Sequence, residues 1–117
     1  PCSANYDALI SEFEAVGLTP EYTQKFTCPF VKESLVKYGL TLTEIIKIKH
    51  NGTLLVIGEI QDIYVQTNAL TRDGYLDIEQ LESVAISSLD GYHVTTRLGR
   101  LAYAKPSLPV SILSDLA

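Results

Sequence analysis

Methionine and tryptophan are both missing from the 117 residues. A chain that starts at Pro1 and holds no methionine is not expected to be an unprocessed translation product, so an upstream segment is expected to have been removed. Cysteine is nearly absent too. Cys2 and Cys28 stand far apart with no CxxC spacing, so either two free thiols in a cytosolic protein or a single bridge in an oxidising compartment fits. Basic residues are outnumbered, nine against fourteen acids, for a net charge of −5. They are interleaved with acids and apolar residues rather than gathered into the stripe that displaces counterions from nucleic acid. No apolar run approaches the ~20 residues of a membrane span. No basic segment followed by an apolar one marks a signal peptide. The expectation is a soluble, cytoplasmic protein with neither nucleic acid nor membrane as partner.

What remains is ordinary globular composition, 46% hydrophobic and 20% charged, expected to form a single domain over residues 1–117. Asp7 to Val16 places Leu9, Ile10, Phe13 and Val16 at helical spacing, and Gly17 follows where a left-handed cap ends a helix. Leu18 to Pro29 reads as an irregular connection, limited by Thr19-Pro20 and Cys28-Pro29. Ser34 to Lys49 is rich in β-branched and apolar residues and alternates near its end. Asn51-Gly52 follows, a type I′ hairpin signal that needs positive φ at both central positions. Thr53 to Val65 returns as a second long strand. Gly39 and Gly58 interrupt the strands, as expected where a strand coils sharply or bulges. Beyond the hairpin, Asp73-Gly74 marks a turn. Asp77 is placed to cap a short helix through Leu81 and Glu82, with Gln80 completing a capping box. Ser87 to Gly91 reads as a polar loop and Val94 to Tyr103 as an extended segment. Lys105-Pro106 and Pro109 end regular structure before a short tail. The class is mainly β with short α-helices. Three strands are too few to close a barrel, so the sheet is expected to be completed by an upstream segment or a partner subunit.

The residue chemistry declares no reaction. Cys2, Cys28, His50 and His93 lack paired ligand spacing, so no metal site is expected. There is no GxSxG elbow and no phosphate-cradling GxGxxG or GxxxxGK. His50 is expected at an exposed hairpin tip. His93, beside Tyr92, is open between a site residue and an ordinary loop histidine. Glu12/Glu14 and Glu79/Glu82 read as solvated helix faces rather than as a general acid and base. No catalytic residue can be named.

Several stretches nonetheless follow one another in a recognisable order. Asn51-Gly-Thr-Leu-Leu-Val-Ile-Gly-Glu-Ile60 precedes Asp73-Gly74-Tyr75-Leu76-Asp77, then Leu89-Asp90-Gly91-Tyr92, Arg97-Leu98 and Tyr103-Ala104-Lys105-Pro106. Upstream stand Cys2-Ser3, Ser11-Glu12-Phe13, Gly17-Leu18-Thr19-Pro20 and Pro29-Phe30-Val31-Lys32-Glu33-Ser34. In this order and spacing the chain resembles the C-terminal portion of the flavin reductase-like family. The resemblance implies an FMN-binding split β-barrel, incomplete in this chain, and a homodimer with the flavin near the subunit interface. It also implies transfer of reducing equivalents from NADH or NADPH to flavin or another acceptor, with a non-catalytic flavin-binding or dimeric interaction protein of the same fold as the alternative. Much of the family's flavin surface comes from the first half of the barrel, and by this resemblance the chain is expected to start after it. Some relatives carry a histidine shortly before the Gly-Glu strand, and Thr53 to Ile57 has none. By resemblance, the cofactor-binding residues are Ser3, Asn5, Tyr6, Tyr92 and His93. Ser3 and Asn5 could equally cap the first helix, and Tyr92 could be a core aromatic.

Overall fold

Strands dominate the computed structural model, which describes residues 7–113. The chain divides into two compact units, Pro1–Tyr64 and Val65–Ala117.

In the first unit, helix α1 spans only Glu12–Val16. The expected start at Asp7 fails because Asp7 to Ile10 forms its own turn, with the Ile10 N–H donating to the Asp7 carbonyl at 2.9 Å. Ser11 then sits in extended backbone (φ −70°, ψ 124°), a conformation serine favours at a helix N-cap. Leu9 and Ile10 are therefore left exposed ahead of the helix. The C-terminal end forms as expected. Gly17 is left-handed (φ 73°), and two backbone N–H groups return to the Glu14 and Phe13 carbonyls, closing the last turn.

The stretch read as irregular holds a small sheet. Strand β1 (Pro20–Glu21) pairs antiparallel with β2 (Phe30–Val31). Proline needs no ladder partner for its nitrogen when it opens an edge strand. The sheet is too short to leave a period-2 pattern in the sequence, which is why pattern alone misses it.

The long hairpin forms where it was expected. Strand β3 runs Val36–Ile48 and pairs with β4, Thr53–Val65, each 13 residues long. Its turn differs in kind. Gly52 is left-handed (φ 72°), whereas Asn51 is not among the positive-φ residues. A four-residue connection with glycine at its last position replaces type I′. The Asn51 side chain acts locally instead: its Oδ1 accepts from the Thr53 N–H at 3.1 Å and from the Thr53 hydroxyl at 2.7 Å, the self-bonding that makes asparagine a turn residue.

Gly39 is buried because the Phe26 ring lies where a side chain would be. Phe26 meets Phe30 edge-on at 5.6 Å, and Phe30 meets Tyr64 at 5.4 Å. An aromatic file thus ties the segment after β1 to both long strands. Unit 1 buries neither face of the hairpin: Leu54, Leu55 and Val56, whose side chains alternate in direction, are 60%, 50% and 60% exposed. No closed barrel forms among the described residues.

In the second unit, a 3-10 turn at Thr67–Ala69 leads into a tight reversal, with Leu70 bridged to Leu76. Gly74 (φ 83°) turns the chain at the expected Asp73-Gly74. Asp77 caps as expected, its Oδ1 accepting from the Glu79 and Gln80 N–H groups at 3.1 and 3.4 Å. No helix follows, however. Glu82 adopts φ 51°, and the Ser83 N–H turns back to the Ile78 carbonyl at 3.0 Å, which ends the coil after one turn. Leu81 and Ala69 are this unit's buried apolar residues, at 5% and 0% exposure.

The expected polar loop at Ser87 to Gly91 is a hairpin. Strand β5 (Val84–Ser87) pairs antiparallel with β6 (Gly91–Val94), Ile86 facing Tyr92 and Ala85 facing His93. Asp90-Gly91 between two β-branched runs was the signal that could have found it. The tail likewise does not end regular structure: β7 (Arg100–Leu101) pairs with β8 (Ile112–Leu113), closing over the Pro106 to Pro109 turn. Neighbours so distant in sequence leave no local mark.

Candidate functional site

Two places gather polar chemistry, one in each unit.

In the first unit, β1 and β2 stand against the two long strands and leave a cavity of about 280 Å³ lined by Glu21, Tyr22, Thr23, Phe30, Lys37 and Tyr64. The Lys37 ammonium, 16% exposed, donates to Glu21 Oε2 at 2.6 Å. The Thr23 hydroxyl oxygen is enclosed and has no hydrogen-bond partner. Nearby, the Lys25 ammonium pairs with Asp62 at 2.8 Å. Glu33, on the turn after β2, accepts the Thr19 N–H through both carboxylate oxygens at 3.0 Å. These bonds to Thr19 hold the Glu33 carboxyl below its usual range.

In the second unit, Tyr75 lies under two guanidinium groups, Arg100 at 4.1 Å and Arg97 at 5.6 Å from the ring centre. Each arginine also reaches an aspartate: Arg100 pairs with Asp73, and Arg97 with Asp77 at 3.5 Å. Asp73 additionally accepts from the Thr71 hydroxyl. The cluster fastens the Asp73-Gly74 turn to β7. The Arg100 bond, then that of Thr71, holds the Asp73 carboxyl well below its ordinary 3.8. Because the folded value is depressed, the bonded carboxylate stabilises the fold above the unfolded value, and that contribution is lost as pH falls through the folded one. Asp73→Asn should therefore lower the thermal midpoint at about pH 6, with the gap to wild type closing as pH drops toward about 2. Thermal scans across that range check it; a gap independent of pH would count against the assignment.

Among the sequence-derived site residues, Tyr92 and His93 are successive on β6, so their side chains point to opposite faces. Tyr92 is 58% exposed, a free aromatic edge that suits ring contact. His93 Nε2 shares a hydrogen bond with the Ser87 hydroxyl across the hairpin at 2.8 Å. Gly91 makes that pairing possible, since a Cβ there would collide with the Ser87 hydroxyl. Ser3, Asn5 and Tyr6 lie outside the described residues, as does Cys2. Cys28 is an exposed free thiol, and His50 is exposed in the long hairpin's turn. No group of three or more potential metal ligands occurs among the described residues, and none of their helices is long and apolar enough to cross a membrane. The unit 1 cavity was not visible in the sequence, because its six lining residues come from four separate strands or their flanks.

No family model matches the chain, nor does any curated protein. Solved structures do. A split-barrel protein of Shewanella frigidimarina NCIMB 400, assigned as a flavin reductase, is 53% identical over 87% of this chain, with a TM-score of 0.82. Flavoredoxin of Desulfovibrio vulgaris (Miyazaki F) is 28% identical over 87% of the chain, with a TM-score of 0.65. This chain spans about half the length of each, 52% and 53%. The strand content and the long hairpin match the split-barrel architecture of these neighbours, and over the half of their length that it spans the chain is similar to flavin reductase-like split-barrel proteins.

Proposed function

We propose that this chain is part of a flavoprotein that binds FMN and passes reducing equivalents from NADH or NADPH to flavin or another acceptor. The observation that carries this reading is the 53% identity to the protein assigned as a flavin reductase. Bound isoalloxazine would supply the redox chemistry, while the protein supplies orientation and hydrogen bonds. Of the proposed contact residues, Tyr92 offers an exposed ring on β6, and Ser3, Asn5, Tyr6 and His93 are assigned by family resemblance. The two apolar faces of the β3–β4 hairpin support assembly as a homodimer, because contiguous apolar surface of this kind marks an interaction site. We place the protein in the cytoplasm.

The test is the visible spectrum of the protein after incubation with FMN and desalting. A retained flavin band is expected, with affinity falling about tenfold in Ser3→Ala, Asn5→Ala or Tyr92→Ala, the loss of one good contact. Unchanged affinity in all three removes these residues from the site, and a colourless protein removes flavin binding from this chain. A second reading is flavin binding or dimerisation without turnover, the exposed apolar faces of the β3–β4 hairpin being suited to dimerisation. Oxidation of NADH with added FMN separates the two.

A further inference from the structure

The tip of the long hairpin carries a reactive pair of residues that the flavin reading leaves unused. Asn51 and Gly52 are both exposed, and nothing lies within 4 Å of the point where a Gly52 side chain would begin. The tip is thus open to water and uncrowded around the Gly52 backbone. An asparagine followed by glycine lets the next backbone nitrogen reach the side-chain amide most readily, because glycine has no Cβ and few conformations are closed to it. The two reacting groups belong to adjacent residues, so no encounter between molecules is needed.

Local bonding favours reaction at this asparagine over Asn68. When a nitrogen attacks Cγ of Asn51, negative charge develops on Oδ1. That oxygen already accepts from the Thr53 N–H at 3.1 Å and from the Thr53 hydroxyl at 2.7 Å, the arrangement of an oxyanion hole. Hydrogen bonds to an ionised oxygen are roughly twice as strong as those to a neutral one, so Thr53 stabilises the charged intermediate more than the resting amide. One bond opposes the reaction: the Gly52 N–H donates to the Ile48 carbonyl at 3.0 Å and must be released first. An exposed bond at a chain reversal opens at little cost. Asn68 provides the contrast. It lies in the 3-10 turn Thr67–Ala69, and the nitrogen next to it belongs to Ala69, which is fully buried and donates to the Gln66 carbonyl at 3.0 Å.

We propose that Asn51 is a site of spontaneous covalent modification, in which the Gly52 nitrogen closes a succinimide on the Asn51 side chain and Thr53 stabilises the oxygen where charge develops. The Gly52 nitrogen loses its proton and bonds to Cγ of Asn51. The bond from Cγ to the side-chain nitrogen breaks, and ammonia leaves with that proton. Water then opens the ring at either carbonyl. Cleavage between Cγ and the Gly52 nitrogen gives aspartate; cleavage at the original peptide bond gives isoaspartate, with the main chain rerouted through Cγ. Nothing is oxidised or reduced. Either product adds one negative charge to a chain at −5, beside Lys49 and His50. The site stands apart from flavin binding and does not depend on it.

The experiment is a time course of the folded chain in mildly alkaline buffer, followed by ion exchange and by peptide mass spectrometry that separates aspartate from isoaspartate. A more acidic form is expected to accumulate, with both products at position 51 and conversion there well ahead of Asn68. Asn51→Gln, whose longer side chain sets the amide farther from the Gly52 nitrogen, should stop the acidic form from appearing. Thr53→Val removes the hydroxyl donor and keeps the N–H, and should slow conversion about fivefold, as for one hydrogen bond. Thr53→Ser restores the hydroxyl and should return close to the wild-type rate. Circular dichroism shows whether each variant is folded. An unmodified Asn51 in the folded chain, while the urea-unfolded chain converts, overturns the proposal, because the turn then protects the site. So does conversion at Asn68 as fast as at Asn51. A Thr53→Val rate at or above wild type, or a Thr53→Ser rate as low as that of Thr53→Val, overturns the role of the hydroxyl.

Discussion

Gly39→Ala is expected to destabilise the first unit by about 1–3 kcal/mol, the cost of overfilling a packed site. A Cβ on Gly39 would lie inside contact distance of the Phe26 ring at Cζ and Cε2, with Cε1 at 2.9 Å. The ring cannot be pushed aside without consequence, because it also meets Phe30, which in turn meets Tyr64. Displacing Phe26 therefore disturbs the contact that ties the β1–β2 sheet to the long hairpin. Denaturant titration of Gly39→Ala, Phe26→Ala and the double variant measures the coupling. Removing the ring removes the clash, so the alanine at position 39 should cost much less in the Phe26→Ala background than in wild type. Additive effects, within the ~0.5 kcal/mol scatter of independent sites, would show that the ring does not occupy that space.

Leu81→Ala is expected to cost about 2–5 kcal/mol, the range for truncating a buried leucine. The second unit has little to spare. Leu81 and Ala69 are its buried apolar residues, and Leu81 sits on the single turn capped by Asp77. Its loss should open the turn as well as leave a void. Amide hydrogen exchange checks this locally: protection at Ala69, Asp77, Leu81 and Ser83, whose N–H groups all donate to backbone carbonyls, should fall together. Protection at the β5–β6 hairpin, held by its own ladder, should fall less. Equal protection in wild type and variant would mean that Leu81 is not what holds the turn.

The legible parts of the fold are those whose cause is local. The long hairpin could be read because 13-residue strands carry enough β-branched and apolar residues to stand out, and because Gly52 is needed where φ is positive. The helix end at Gly17 and the Asp77 cap were legible for the same reason: each depends on residues within four positions. Errors arose where two local preferences competed. Leu9 and Ile10 fit the helical period, but Ser11 interrupts the coil one residue later. Asp77 began a helix signal that Glu82 ends at φ 51°. At Asn51-Gly52 the dipeptide marked the right place but not the turn type.

By itself, then, the sequence determined the dominant secondary structure, the position of the central hairpin and the resemblance to flavin reductase-like proteins, since these rest on periodicity, turn chemistry and the order of short motifs. Only the tertiary structure decided that Gly39 makes room for a ring 13 positions away, that β8 returns to β7, and that Glu21, Thr23, Phe30, Lys37 and Tyr64 converge on one cavity. Each of these joins residues whose separation exceeds any local period. Their meeting is set by how strands pack once formed, and no short window of sequence encodes that.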